Sequence, residues 1–179
     1  MRYHGSDLRQ TGLISMTVYG LSGIPGLLIG GALADKWAMR RKDGRLLVAA
    51  IATSISAPLM VLALMRPVRD VMPFVILGSL ACAFMYVYYA SVYSTLQDVV
   101  TPSLRGTAMA LYFFAMYVLG ASFGPLATGM LSDFFTRRAG GDAAIGLHTA
   151  MYAVPVLSAL LAFVLFAATR TVARDMERR

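Results

Sequence analysis

One face of a long apolar stretch carries side chains that can form hydrogen bonds. Drawn as a helix with about 100° per residue, residues 72–97 place five of them on a single stripe: Ser79, Tyr86, Tyr89, Tyr93 and Gln97. Hydroxyls, an amide and aromatic planes on one face could line an aqueous cavity and bind a solute. The alternative is that these tyrosines pack between helices, where each hydroxyl is satisfied locally.

A second candidate region is the polar segment 31–45, which separates two apolar stretches. It reads Gly-Ala-Leu-Ala-Asp-Lys-Trp-Ala-Met-Arg-Arg-Lys-Asp-Gly-Arg, with five cations and two acids from Asp35 to Arg45. Such a charge cluster fits the point at which one membrane helix ends and the next begins. The side of the membrane on which this loop lies therefore decides the topology of the chain.

The composition excludes most other classes of protein. Hydrophobic residues make up 58% of the 179 residues and charged residues only 14%, which is far from the balance of a soluble domain. The net charge of +7 comes mainly from short segments between apolar stretches, a distribution that indicates the positive-inside rule rather than nucleic-acid binding. We expect no cofactor, because one cysteine and two distant histidines offer neither a disulfide nor a metal site. We also expect no enzyme, since no nucleophile has a base beside it in the sequence.

Five apolar stretches are long enough to cross a hydrocarbon core, which takes about 20 residues of helix. They lie at about 13–34, 46–65, 72–97, 104–132 and 145–169. The runs are continuous and do not alternate with period two, so helices rather than barrel strands are indicated. The sequence predicts an all-α membrane protein, in which residues 1–179 form one domain of five transmembrane helices. The second stretch has few polar residues, and we interpret it as a lipid-facing support.

The positive charges predict the orientation of the chain. Ten of the 16 Lys and Arg residues lie in the 36–45 loop, the 98–105 turn and the C-terminal tail, and the other six lie in the N-terminal segment and the remaining two connections. The richer side is cytoplasmic by the positive-inside rule, so the C-terminus lies in the cytoplasm and the N-terminus outside. We expect a multi-pass protein of the bacterial inner (plasma) membrane.

Small residues mark the first and fourth stretches as helices that other backbones can approach. The set comprises Gly23, Gly26 and Gly30 in the first stretch and Gly120, Gly124 and Pro125 in the fourth. The glycines allow close packing, and the proline removes one helix hydrogen bond and permits a bend. Ordinary helix packing and a moving interface are alternative roles for these two faces.

A tight connection joins the third and fourth stretches. Thr101 followed by Pro102 is a typical helix start. Asp98 lies near the positive end of that helix, and we expect it to pair with Arg105 at the cytoplasmic surface. We interpret Asp98 and Arg105 as a structural corner.

The ends of the first and fourth stretches resemble each other. Gly31-Ala-Leu-Ala-Asp35 matches Gly129-Met-Leu-Ser-Asp133, and a proline precedes each segment, at positions 25 and 125. Because the predicted topology puts these ends on opposite sides of the membrane, the match indicates inverted copies, as in transporters built from inverted three-helix repeats. The five helices would form a three-plus-three array that lacks its first member.

These residues resemble the major facilitator superfamily. The segment from Gly31 to Lys36, followed by Arg40 and Arg41, is similar to the family's signature loop G-x-L-a-D-R-x-G-R-K in the copy that joins helices 8 and 9. Positions 38 and 39 depart from the usual glycine and basic residue. The run from 97 to 133 resembles helices 10 and 11 of Spinster-like members. On this alignment the chain corresponds to helices 8–12, a partial C-terminal six-helix bundle of a major facilitator fold, and lacks helices 1–7.

The resemblance implies a secondary, gradient-coupled carrier that moves a small organic solute by alternating access. The signature loop of that family acts as a gate, which assigns a gating role to Gly31, Asp35, Lys36, Arg40 and Arg41. In the family, the aspartate of this loop faces a helix end of the other half of the carrier. The resemblance therefore implies that the partner of Asp35 lies outside this chain. It also places the tyrosine stripe along the solute pathway.

The implied partners are the lipid bilayer, a small organic solute and a missing N-terminal helical half or an oligomer partner, without nucleic acid. Five helices cannot enclose a two-bundle pathway alone, so transport requires that partner. The alternative function is a truncated membrane fragment that does not transport, or a helix-packing interaction module. An adjacent reading frame that encodes seven helices would favour the carrier.

Overall fold

All five apolar stretches are helical. The computed structural model describes residues 8–67 and 70–177, and no strand occurs within those ranges. Within the described ranges, five helices are long and apolar enough to cross a membrane, by length and composition. In chain order, the first to fifth spans are Gly12–Ala38, Gly44–Leu64, Val71–Val99, Pro102–Arg138 and Ala143–Thr171. The expectation of an all-α membrane protein with five such helices is confirmed.

Several spans contain more than one helical element. The elements are α1 (Leu8–Ser15), the first π segment (Met16–Leu21), α2 (Gly23–Ala38), α3 (Gly44–Leu64), α4 (Val71–Val99), a 3-10 turn (Pro102–Leu104), α5 (Arg105–Ala115), the second π segment (Met116–Ser122), α6 (Phe123–Arg138), α7 (Ala143–Met151) and α8 (Ala153–Glu177). A proline follows the π segments of the first and fourth spans and the break between α7 and α8, at positions 25, 125 and 155. Proline has no N–H for the helix ladder, which favours a break just before it.

The helices extend beyond the stretches predicted from hydropathy. The first span continues past Asp35 and Lys36, so both lie in its last turn rather than in a loop. The fourth span ends at a Schellman cap, in which Gly140 has a φ of +70° and the Gly141 N–H donates to the Thr136 carbonyl at 2.9 Å. Hydropathy misses such ends because the charged side chains of a terminal turn can reach water.

The second span forms the centre of the packed part of the chain, against the first, third and fifth spans. Its most buried side chains include Ala49, Ala50, Thr53 and Ser56. The Ser56 hydroxyl donates to the Ala81 carbonyl of the third span at 2.9 Å. The prediction that the second stretch is a lipid-facing support is therefore wrong. Its composition does not distinguish a lipid-facing helix from a helix packed among others, because lipid and a neighbouring membrane helix are both apolar.

The fourth span is packed much less than the second. None of the residues of α5, the second π segment or α6 is buried. The span contacts the third span through α5, and at its other end it turns back into α7. In that hairpin an added Cβ at Gly146 would lie 2.7 Å from the Ser132 carbonyl oxygen, and the Asp142 carboxylate caps α7 by accepting from the Ala144 and Ile145 amides. The fourth span is thus held near its two ends.

Candidate functional site

Three spans meet at a charged corner formed by Asp35, Arg45 and Asp98. Asp35 lies in the last turn of the first span, Arg45 begins the second and Asp98 ends the third. One terminal nitrogen of the Arg45 guanidinium donates to the Asp35 carboxylate at 2.9 Å, and the other donates to the Asp98 carboxylate. The Arg45 side chain is 24% exposed and that of Asp35 is 67% exposed, so water screens these ion pairs. The corner ties three helix ends together at a water-accessible surface.

One prediction made for this region is wrong. Asp98 does not pair with Arg105, because its carboxylate binds Arg45 and the Arg105 Nε donates to the Gln97 carbonyl at 2.9 Å. Asp35 also binds Arg45 within this chain, and the partner in the other half that the resemblance implied for Asp35 stays a prediction. Both ion pairs of Arg45 have the same cause. The loop between the first two spans is short, from residue 39 to residue 43. It places the start of the second span between the ends of the first and third spans.

Gly44 allows the chain to make this tight loop. A Cβ at this position would lie 2.9 Å from the Ala38 amide nitrogen and closer still to the Trp37 carbonyl group. Within the loop, the Arg41 guanidinium donates twice to the Asp43 carboxylate, at 3.0 Å each. This hydrogen bonding and the carboxylate charge raise the pKa of Arg41 and favour its cationic form. Sequence analysis did not single out Gly44, although a glycine at the start of a helix was a visible signal.

The five residues assigned a gating role are not brought together. Only Asp35 belongs to the charged corner, and Arg41 is engaged with its own loop. Lys36 and Arg40 are exposed, and a Cβ added at Gly31 would meet no atom within 4 Å. The charge cluster read from the sequence therefore separates into one three-helix contact and a set of surface charges.

The glycine face of the first span packs directly on the third span. A Cβ at Gly26 would lie 2.7 Å from the Tyr86 Cβ, and one at Gly30 would lie 2.6 Å from the Val87 Cα. Such distances are shorter than ordinary van der Waals contact, so glycine is required for this approach. Gly23 continues the same face, where an added Cβ would lie 3.2 Å from the Tyr86 ring.

The corresponding face of the fourth span is open. A Cβ at Gly120 or Gly124 would meet nothing within 4 Å, and Pro125 is exposed. The second π segment lies directly before this proline region. The two glycine faces, which look alike in the sequence, therefore have opposite surroundings in the fold.

The tyrosine stripe divides into two parts. Tyr86 lies between the first and third spans, and its hydroxyl donates to the Tyr19 carbonyl at 2.9 Å. This is the helix-packing arrangement that the sequence left open as the alternative. The Ser79 hydroxyl is also buried, and its oxygen has no hydrogen-bond partner among the residues that the structure describes. These two members of the stripe thus lie in packed surroundings.

The other part of the stripe is joined to the fourth span by aromatic contacts. The ring centroids of Tyr89 and Tyr93 are 5.8 Å apart, and the Tyr93 ring meets the edges of Tyr112 and Phe113 at 5.5 Å each. Gln97 is exposed at the end of the stripe. Tyr112 and Phe113 were not predicted as site residues, although an aromatic cluster soon after the predicted helix start was a usable signal.

A groove of about 470 Å³ lies between the second and fifth spans. Ser54 and Pro58 line one wall, and Tyr152 and Pro155 line the other. Each proline removes a helix hydrogen bond and favours a bend. The two prolines are therefore the sequence signal that the second and fifth spans separate here. The lining is almost entirely apolar. In residues 8–67 and 70–177, no group of three His, Cys, Asp or Glu side chains could hold a metal ion.

Comparison with known proteins identifies the family. The model of the Major Facilitator Superfamily matches residues 1–178. An "MFS-type efflux pump" of Mycolicibacterium smegmatis (strain ATCC 700084 / mc(2)155) is 36% identical over 143 residues, which cover 80% of this chain and 33% of that protein. The chain belongs to the major facilitator superfamily and is an integral, multi-pass membrane protein, as the sequence predicted. It spans about a third of the length of the relative that it matches.

Proposed function

We propose that this chain supplies helices 8–12 of a secondary carrier that exports a small organic solute by alternating access. The observation that carries the proposal is the family match over residues 1–178. The mycobacterial relative is named as an efflux pump, which supports outward transport. The similarity of residues 97–133 to Spinster-like members favours that branch of the family. The distribution of Lys and Arg favours a cytoplasmic C-terminus in the bacterial inner membrane.

The remaining helices of the carrier come from an N-terminal helical half or from an oligomer partner. Five spans are too few for two bundles, and the glycine face around Gly120 and Gly124 is open. A helix of the second bundle would fit such a face, because small residues let backbones approach closely. The open face therefore supports a partner at the fourth span more than at the first.

The charged corner holds the cytoplasmic ends of three spans together through ion pairs. Arg45 binds carboxylates from two other spans, so separating those helix ends requires that its ion pairs break. Exposed ion pairs contribute about 0–1 kcal/mol each. Contacts of that size stabilise one arrangement and still allow the helix ends to part during a transport cycle. The free energy for directional transport comes from groups outside the charged corner.

The coupling group of the carrier lies outside the five spans. The Asp, Lys and Arg residues within the spans lie in the first or last two turns of a span, and the middles of the described helices carry none of them. An ionisable group inside a membrane span is the usual sign of a proton or ion relay. The partner helices therefore supply the acid or base that couples transport to a gradient.

The solute pathway passes along the aromatic face formed by Tyr89, Tyr93, Tyr112 and Phe113. This face joins the third and fourth spans and offers aromatic ring planes. Such groups suit an aromatic or amphiphilic organic solute. Tyr86 contributes to helix packing instead, because its hydroxyl is engaged by the first span.

The test is transport by the carrier in its native assembly, purified from membranes and reconstituted into proteoliposomes. Ethidium serves as the aromatic probe, with an imposed proton gradient. Tyr93→Ala is expected to reduce gradient-dependent transport at least fivefold, because Tyr93 contacts both aromatic residues of the fourth span. Tyr152→Ala, in the groove of the fifth span, is the matched control and should retain transport. Equal activity of the two variants would overturn the pathway assignment.

The second candidate function is a membrane fragment that packs with other helices and does not transport. The open face of the fourth span is the observation that favours it. A reconstituted native assembly without any gradient-dependent flux, but with a stable partner bound, would support this alternative. Flux that disappears when the partner is removed would support the carrier.

A further inference from the structure

Two π segments occupy matched positions in the first and fourth spans. Each interrupts an α-helix, at Met16–Leu21 and Met116–Ser122. A serine stands at or just after the end of each, and a proline follows three residues later. A π turn contains one more residue than an α turn, and such segments often occur at functional sites. The repetition of this arrangement in two spans points to a common physical cause.

The prolines and serines explain why the helix widens at these places. Pro25 has no N–H to offer the Leu21 carbonyl, so the ordinary α ladder is interrupted there. The Ser22 hydroxyl donates to the Val18 carbonyl within the first π segment. In the fourth span, the Ser122 hydroxyl donates to the Tyr117 carbonyl at 3.3 Å. In both segments a hydroxyl therefore supplies a hydrogen bond to a carbonyl of the widened turn.

One further contact is present in the first span. The Tyr86 hydroxyl donates to the carbonyl of Tyr19, which lies inside the first π segment. Val18 of the same segment is buried, and a Cβ at Gly78 of the third span would touch it at 3.6 Å. The second π segment has no buried residue, and a Cβ at its Gly120 would meet nothing within 4 Å. The third span thus holds one π segment and leaves the other unsupported.

We propose that Tyr86 holds the first π segment in its widened form by donating to the Tyr19 carbonyl. In hydrocarbon a carbonyl without a donor is costly, so this hydroxyl favours the backbone arrangement that exposes the Tyr19 oxygen to it. Conversion of a π turn to an α turn removes one residue from the turn. The part of the helix before it then rotates by about 100° and shifts by about 1.5 Å. Tyr86 therefore sets which face α1 presents.

This role does not depend on transport, so it can be tested on the chain whether or not the proposed function holds. The measurement is backbone hydrogen–deuterium exchange of the full chain in lipid nanodiscs, resolved by mass spectrometry. Tyr86→Phe removes the hydroxyl and keeps the ring over Gly23. With Pro25 in place, an α turn formed instead of the π turn still leaves the Leu21 carbonyl without a donor. Loss of the Tyr86 hydrogen bond is therefore expected to raise exchange of the amides in 17–24 by roughly five- to tenfold. Exchange in 116–124 should stay unchanged.

Two further variants keep the test decisive. Tyr152→Phe removes a phenol hydroxyl from the fifth span and should leave exchange in 17–24 as it was. Pro25→Ala restores the missing N–H, so the segment can form an ordinary α ladder without the Tyr86 hydroxyl. In that background, Tyr86→Phe should change exchange in 17–24 less than about twofold. An unchanged rate in 17–24 for Tyr86→Phe would overturn the proposal. A rise of equal size throughout the helices would also overturn it, because that result would mean general loosening.

Discussion

In the first span the glycines at positions 23, 26 and 30 are pressed against the third span, and in the fourth span those at positions 120 and 124 meet no neighbour within 4 Å. Both spans contain a π segment, a serine, a proline and the ending Gly-x-Leu-x-Asp. The difference arises in the third span, whose Ala83, Tyr86 and Val87 accommodate the first span. Small residues permit close packing in a membrane, but the neighbouring helix decides whether it occurs.

The largest expected effect separates these two glycine faces. Gly26→Ala forces a Cβ to within 2.7 Å of the Tyr86 Cβ, so it should lower the free energy of unfolding by about 1–3 kcal/mol. Gly124→Ala has open space and loses a helix-weakening glycine, so it should raise that free energy by about 0.5–1 kcal/mol. Unfolding of the full chain by SDS, followed by circular dichroism, measures both. Equal destabilisation by the two variants would show that the fourth span is packed as tightly as the first.

A smaller effect is expected where the fourth span is attached. Tyr93→Leu keeps an apolar side chain but loses the edge-to-face contacts with Tyr112 and Phe113, which should cost about 0.5–1.5 kcal/mol. The change should appear as faster hydrogen exchange in α5 than in α2. Phe114→Leu, at an exposed position of α5, is the control and should have little effect. A loss confined to α2 would contradict the attachment of the fourth span through these rings.

The smallest effect concerns the aspartate that ends each Gly-x-Leu-x-Asp segment. Asp35→Asn removes one ion pair of the charged corner, and because that pair is exposed the cost should be about 0–1 kcal/mol. The cost should diminish further in high salt. Asp133→Asn, in the fourth span, should show neither the cost nor the salt dependence. The same SDS titration at low and high salt measures both variants. A salt-dependent loss of unfolding free energy in Asp133→Asn would show that both aspartates form stabilising ion pairs.

Much of the fold could be predicted because the bilayer restricts the choices. A continuous apolar stretch must form a helix in hydrocarbon, so the five spans followed from composition and length. The end of the fourth span is encoded locally, in the two glycines at positions 140 and 141 that form its cap, although hydropathy predicted an end at about 132. The family followed from the residues around Gly31 and Asp35, since the motif combines a small-residue helix end with a charged return.

The partners of individual side chains could not be predicted in the same way. Asp98 is closer in sequence to Arg105 than to Arg45, yet it binds Arg45 because the second span begins beside it. The second span proved central rather than lipid-facing, and Tyr86 packs on glycine while Tyr93 meets aromatic rings. These outcomes depend on how helices that are apolar on most sides arrange around one another.

The sequence alone determined that this chain forms membrane helices, where those helices lie and to which family they belong. These properties depend on the transfer of apolar residues into lipid and on short local patterns. Only the tertiary structure decided that Arg45 joins Asp35 to Asp98, and that one of two similar glycine faces is filled while the other stays open. Lipid offers no strong preference between helix faces, so shape and hydrogen bonding between particular neighbours make that choice.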